Sequence, residues 1–397
     1  MQRRVLAVLV LGGMCAAANV QTFALLLTSI ADEFDTTVAV LGSLRTIEYT
    51  AAIVGGLLIT RLADKVVRKW LLVAGYALML IAALAAIAAT SPATLMIYYV
   101  LAGMASVTLF ASILAAPSDF LEGGALDRAN GVIIGSFSLP GIIIVPLAGV
   151  LSEAYGWRTA YLLNVSLAAL AILGTLLFLP RVAPQGHQAG TTLGHLRLLL
   201  RQPGFILILL ANFTRFVLFT MALVFTASFL IERYDLSDDR AGLYYGIGSG
   251  CFLVTALLSG FLLNRFGTAR LLIRGGYLIS LTFVLAMGPT WPLLVTGLLL
   301  IFSDCMLAIH ENGALGTLLR MAPSARGSAA ALNELGAGAG GLVGAGIGGL
   351  VLSLSGYSGL GVCMGLLSLV AALLTRAALN ANRRAVGVPP GNVVVSS

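Results

Sequence analysis

The sequence predicts an all-α membrane protein whose twelve transmembrane helices form two pseudo-symmetric six-helix bundles. Three observations carry that expectation: the composition, the number and length of the apolar runs, and an internal repeat. Of the 397 residues, 59% are apolar and 10% charged, with a mean hydropathy of +1.00. One soluble core cannot bury that much apolar surface, so the chain belongs in a bilayer.

A hydrocarbon core of about 30 Å is crossed by roughly 20 apolar helical residues. Such runs lie at about 5–29, 38–61, 70–89, 94–116, 130–152 and 158–179, then at about 205–230, 240–263, 271–288, 291–314, 327–353 and 357–379. The first is long, lacks a convincing cleavage site and continues into a polytopic pattern, so it is expected to remain as span one. The longest hydrophilic interruption, PRVAPQGHQAGTTLGHLRLLLRQPG at 180–204, separates six spans from six. Its LGHLRLLLR part fits either a short amphipathic helix on the membrane surface or a plain linker. The expected organisation is a bundle at 1–180, a cytoplasmic loop at 181–204, a bundle at 205–380 and a cytoplasmic tail at 381–397.

Basic residues set the orientation, because short Lys- and Arg-rich loops stay in the cytoplasm. Arg3 and Arg4 begin an alternation that continues through Arg61, Lys65, Arg68 and Lys69, then Arg128, Arg181, Arg197 and Arg201. The second half repeats it at Arg265, Arg270 and Arg274, at Arg320 and Arg326, and at Arg376, Arg383 and Arg384. The intervening loops carry Arg158, Arg233 and Arg240, and the first of them, ADEFD at 31–35, is acidic. Both termini are therefore expected in the cytoplasm, with the chain multi-pass in the plasma (inner) membrane. Topology accounts for the net charge of +7, so no nucleic-acid partner is expected. Cys15, Cys251, Cys305 and Cys363 lie inside spans without metal-like or paired spacing and read as packing residues; neither a metal nor a cofactor is expected.

The repeat is the strongest sign of organisation. TRLADKVVRK (60–69) follows span two and GFLLNRFGTAR (260–270) follows span eight; DRANG (127–131) precedes span five and SARGS (324–328) precedes span eleven. Thr60, Leu62, Asp64, Lys65, Arg68 and Lys69 in the first half, and Gly260, Leu262, Arg265 and Gly267 in the second, resemble the loop signature of the major facilitator superfamily. Thr60 and Val67 stand where glycines are usual, and Asn264 where the acid is. GIIIVPLAG (141–149) followed by YGWRTAYLLN is similar to the fifth-helix motif of proton-driven exporters, with Gly141, Pro146 and Gly149 retained. Tyr99 replaces the fourth-helix arginine of many such antiporters. The resemblance implies a monomer in which spans one, four, seven and ten line a central cavity, with Asp304 pointing inward.

Asp64, at a helix end, is suited to accept from the amides that open a neighbouring helix, which the resemblance identifies as span eleven. Such a contact between halves favours the outward-open state. Arg68 is placed to clamp Asp119 in the same layer. The alternative is that these charges only anchor the loop. In span five, glycine and proline permit close approach and a kink. In span eleven, Gly336, Gly340, Gly344 and Gly348 form one small-residue row, with Gly341, Ala345 and Gly349 beside it.

A charge at the bilayer centre costs about 2.5–3.5 kcal/mol on insertion scales, so Arg45, Glu48, Arg215, Asp304 and Glu334 each need compensation or a function. Arg45 and Glu48, three residues apart, are helix neighbours; the pair is either a structural salt bridge or a proton-exchanging acid tuned by its arginine. Asp304, His310 and Glu311 fall in SDCMLAIHENG (303–313) of span ten. Arg215 in span seven is expected to partner one of these acids or to anchor an anionic group, and Glu334 to pair with Arg215 or His310 or to titrate alone. Asn19, Gln21 and Asn212 add hydrogen-bonding groups.

No hydrophilic domain is large enough for an active site, and no phosphate-binding GxxxxGK[ST] loop or catalytic constellation is present, so an enzyme is not expected. The expected function is a secondary transporter working by alternating access, exporting small, lipophilic or cationic molecules in exchange for protons. An anionic or zwitterionic metabolite or lipid is the competing substrate class. A non-transporting membrane sensor or scaffold is the competing function.

Overall fold

A computed structural model describes residues 3–63, 66–121, 123–182, 202, 204–322 and 325–386. All regular structure among the described residues is helical: α1 (Arg3–Glu33), α2 (Val38–Ala63), α3 (Arg68–Ala88), α4 (Pro92–Ala115), α5 (Gly123–Ser136), α6 (Leu139–Tyr155), α7 (Trp157–Phe178), α8 (Phe205–Tyr234), α9 (Asp238–Phe266), α10 (Thr268–Met287), α11 (Leu293–Met321) and α12 (Arg326–Val386). Eleven segments are long and apolar enough to span a membrane, α5 and α6 together contributing Arg128–Tyr155. The last contains two spans, because Gly356 interrupts α12 with φ 62° and ψ −167°. Twelve spans follow, as the apolar runs predict. The surface helix entertained at 193–201, Asp64, Lys65 and most of the C-terminal tail lie outside the described residues.

Span five carries a break near its start. Pro146 sits inside α6, whereas the chain breaks at Phe137 and Ser138, just before Pro140 in the first turn of α6. Proline removes a backbone donor and restricts the residue before it. The Gln21 amide nitrogen donates to the Phe137 carbonyl at 3.0 Å, giving an acceptor at the break a partner.

Backbone geometry repeats along the chain. Asp35 and Asp235 both have positive φ (47° and 50°), as do Gly156 and Gly356 (87° and 62°), each pair 200 positions apart. The first pair turns the chain into spans two and eight; the second turns it from spans five and eleven into their successors. The repeat is thus one of turn conformation as well as sequence.

The described residues belong to two compact units. The first holds Met1–Gln188, Thr220–Leu253 and Gly341–Tyr357. One of its apolar clusters joins α1, α3, α4 and α7 through buried Leu9, Leu72, Tyr76, Leu109 and Ala168. Within it, α6 and the start of α9 run antiparallel at close range: Gly141 lies against Ser249, Pro146 against Gly246, and Gly149 against the Asp238 carbonyl. Gly349 meets the Ala39 carbonyl, where an added Cβ would lie 2.5 Å away, and Gly42 meets the Phe225 ring. The small residues of α6 and α12 therefore permit backbone approach that any side chain would block.

The same unit has two polar ties. Arg158 pairs with Glu33 at 2.5 Å and donates to the carbonyls of Ile87 and Ala89, joining the ends of α1 and α3 to the start of α7. The buried Lys69 ammonium donates to the carbonyls of Leu176 and Leu179, both at 2.8 Å, capping the C-terminal end of α7 where a cation is favoured. In the second unit, Phe205, Ile208, Leu318, Ala329 and Ala378 form a buried cluster among α8, α11 and α12.

Candidate functional site

The ionisable residues expected inside the membrane divide between the two units, Asp304 standing apart from the others of the second. In the first unit, Arg45 is fully buried and Glu48 is 4% exposed, with Arg45 Nη2 at 3.2 Å from Glu48 Oε2. Helical spacing brings them together. The contact is an ion pair without hydrogen-bond alignment, and Arg45 Nη1 separately donates to the Val20 carbonyl at 3.3 Å. Tyr98, Tyr99, Tyr161 and Phe23 pack tightly beside them; Tyr98 and Tyr99 lie 5.1 Å apart between ring centroids. Tyr99 donates to the Leu41 carbonyl at 2.9 Å. Gly103 lets α4 approach so closely that an added Cβ would collide with the Glu48 carbonyl. The buried Asn19 lies against the Tyr98 hydroxyl, and Gln21 Oε1 lacks a hydrogen-bond partner among the described residues.

In the second unit, a cavity of about 140 Å³ opens between α8, α11 and α12. Phe216 and Phe219 supply an aromatic wall; Asn212, Arg215, Glu311 and Glu334 supply polar groups. Glu311 and Glu334 are exposed and close enough to interact electrostatically. Arg215 is 7% exposed. Its Nη1 donates to Asn212 Oδ1 at 2.8 Å and its Nη2 to the Thr375 hydroxyl, while Nε has no partner among the described residues. Asn212 donates in turn to Asn333 at 2.9 Å.

Three placements bear on these expectations. Arg215 makes no ion pair among the described residues, and of its two expected roles, partner of an acid or anchor of an anionic group, its contacts here are neutral oxygens. His310 is 3% exposed and its Nε2 lies 3.2 Å from the Leu271 carbonyl, packed over Gly275, so one side of the ring is engaged by α10 and Glu334 does not pair with it. Asp304 is half-buried on α11, outside the set of residues lining the cavity, with no hydrogen bond or ion pair recorded among the described residues.

Of the loop-signature residues, Arg68 and Asp119 meet at 3.3 Å between Nε and Oδ2. The second half has no matching pair among the described residues: Asn264 and Arg265 are exposed at the end of α9, and nothing lies within 4 Å of a Cβ added at Gly260.

Residues 9–319 match the family model described as Major Facilitator Superfamily. The chain belongs to the Major Facilitator Superfamily. It is accordingly a multi-pass membrane protein of a transporter superfamily. Solved structures of similar fold include a D-xylose-proton symporter (15% identity, TM-score 0.80, covering 94% of this chain and 96% of that one). A bacterial homolog of the human lysosomal transporter Spinster gives 15% identity and TM-score 0.77, with 98% and 100% covered. A nucleoside transporter gives 17% and 0.73, with 96% and 99% covered.

Sequence reasoning missed one polar centre of this superfamily member. Asp238, buried at the first turn of α9, accepts hydrogen bonds on Oδ2 from Ser29 at 2.7 Å and Ser152 at 2.5 Å, and its backbone N–H donates to Glu153 at 3.3 Å. With Asp32 and Trp157 these residues line a second cavity of about 310 Å³. The available signal was an acid in the first turn of a helix, where negative charge is favoured.

Proposed function

We propose that this transporter is a proton-coupled exporter of small lipophilic molecules bearing a positive charge, acting by alternating access in the plasma membrane. The basic loops lie in the cytoplasm in this reading, the unit of transport is the monomer, and the moving bodies are the bundles at 1–180 and 205–380. The observation that carries it is the cavity between α8, α11 and α12, where two exposed carboxylates, Glu311 and Glu334, share a wall with Phe216 and Phe219. Aromatic faces and carboxylates together attract organic cations. Protons compete for the same carboxylates, so loading with one disfavours the other, and Glu48 and Asp304 are further protonation sites within the spans.

Alternating access requires contacts that exist in one state and break in the other. The Asp238 junction with Ser29 and Ser152, and the close approach of Gly349 to Ala39, are the proposed gate on the side of the acidic 31–35 loop. The Arg68–Asp119 pair, with Asp64 and Lys65, is the proposed counterpart near the basic loops.

Reconstituted vesicles test this reading. With an imposed pH gradient, tetraphenylphosphonium is expected to move opposite to protons, and Glu334→Gln to abolish the coupling. Movement that ignores the gradient would remove proton exchange. Absence of movement for any cation, metabolite or lipid tested, with a protein partner copurifying, would favour the sensor or scaffold reading.

A further inference from the structure

We infer that Arg215 is the oxyanion end of the cavity between α8, α11 and α12, and that the exported molecule is an amphipathic zwitterion carrying both an amine and a carboxylate. The inference rests on the transport reading above and narrows its cation to a dipolar one.

The argument starts from a contrast between two buried arginines. Arg45 has Glu48 at 3.2 Å. Arg215, 7% exposed, has neutral oxygens from Asn212 and Thr375. A guanidinium has five N–H donors, and these two bonds leave Nε–H and one further N–H on each Nη. Nε–H has no acceptor among the described residues, although the side chain lines the cavity. A guanidinium with free donors in a fork is matched by an oxyanion with two oxygens. Asn212 and Thr375 meanwhile hold the plane of the guanidinium in place, and Asn333 orients Asn212.

The rest of the wall fixes the other parts of the ligand. Glu311 and Glu334, exposed in the same cavity, make an oxyanion alone a poor fit, because it would face two carboxylates. A simple cation leaves Arg215 uncompensated. A zwitterion satisfies both ends, and Phe216 and Phe219 face its apolar body. The cavity volume of about 140 Å³ suits a small head group of amino-acid type.

The test uses the full-length purified protein and three matched series built on phenylalanine, tryptophan and leucine. Each series contains the amino acid, its amide, which is a cation, and the corresponding deaminated acid. Calorimetric binding is compared among wild type, Arg215→Gln and Arg215→Lys, with gel filtration and thermal unfolding confirming the fold of each variant. The amino acids are expected to bind most tightly. Arg215→Gln is expected to weaken them about 10- to 100-fold while the cationic amides bind as tightly or more so, and Arg215→Lys to restore part of the loss. Equal binding of amide and amino acid to the wild type, or parallel weakening of both by Arg215→Gln, would overturn the assignment. If no series binds while tetraphenylphosphonium still exchanges for protons, the zwitterion is wrong and export of simple cations stands. If the amino acids bind in an Arg215-dependent way but no solute crosses vesicles, the site is supported and transport falls.

Discussion

Ser29 Oγ donates a 2.7 Å hydrogen bond to Asp238 Oδ2, and Ser152 donates to the same oxygen at 2.5 Å. One buried carboxylate at the start of α9 therefore holds α1 and α6. Asp238→Ala is expected to lower unfolding stability by about 2–3 kcal/mol, since bonds to a charged acceptor are worth more than neutral ones. Hydrogen exchange at the first turn of α9 should accelerate in the same variant. Unchanged exchange there would show that the junction does not secure that end of α9.

Glycine substitutions should separate close approach from mere helix weakening. Gly103→Ala drives a methyl group into the Glu48 carbonyl, and Gly149→Ala drives one into the Asp238 carbonyl. Each is expected to cost about 1–3 kcal/mol. A Cβ at Gly250 meets nothing within 4 Å, so Gly250→Ala should be neutral or stabilising by up to about 1 kcal/mol. Detergent-phase thermal unfolding of the three variants checks the ordering.

Removing one member of the Arg45–Glu48 pair should be worse than removing both. Glu48→Gln leaves a fully buried guanidinium without its countercharge, a loss of about 3–5 kcal/mol. Adding Arg45→Met should recover most of it. A double-mutant cycle measures the coupling; additive losses would mean that the charges are independently solvated.

Asp304→Asn probes the half-buried acid of α11, for which no protein partner is recorded among the described residues. Proton-driven accumulation is expected to be lost while unfolding and ligand binding persist. Gradient-driven transport at the wild-type rate would exclude Asp304 from the proton path.

Local regularities were legible in the sequence and long-range geometry was not. The twelve spans follow from hydropathy, and Arg45 meets Glu48 because three residues is nearly one helical turn. Arg68 with Asp119, 51 positions apart, was legible because both fall in the same layer at the ends of their spans. For Arg215 charge complementarity nominates an acid or an anionic group, whereas Thr375, 160 residues away, reads as an ordinary polar residue of a span. His310 lines the cavity of the second unit, and what sequence does not show is that Gly275 leaves room for its ring beside the Leu271 carbonyl. Asp238 reads as a solvated loop charge until Gly149 and Ser152 of α6 are seen beside it. A kink in span five was legible from its prolines but its place was not, since Pro146 lies within a continuous helix and Pro140 begins one.

Gly356 has a consequence for how the last two spans are held together. At 1.5 Å per residue, the 61 residues of α12 would extend about 90 Å if straight, some three times a bilayer core. The chain instead doubles back: Asn333 before the glycine bonds Asn212, and Thr375 after it bonds Arg215, one turn along the same helix. With a single non-helical residue at the bend, the two arms cannot part at that end without unwinding helix, so the last two spans are joined as a tight hairpin whose separation costs backbone hydrogen bonds.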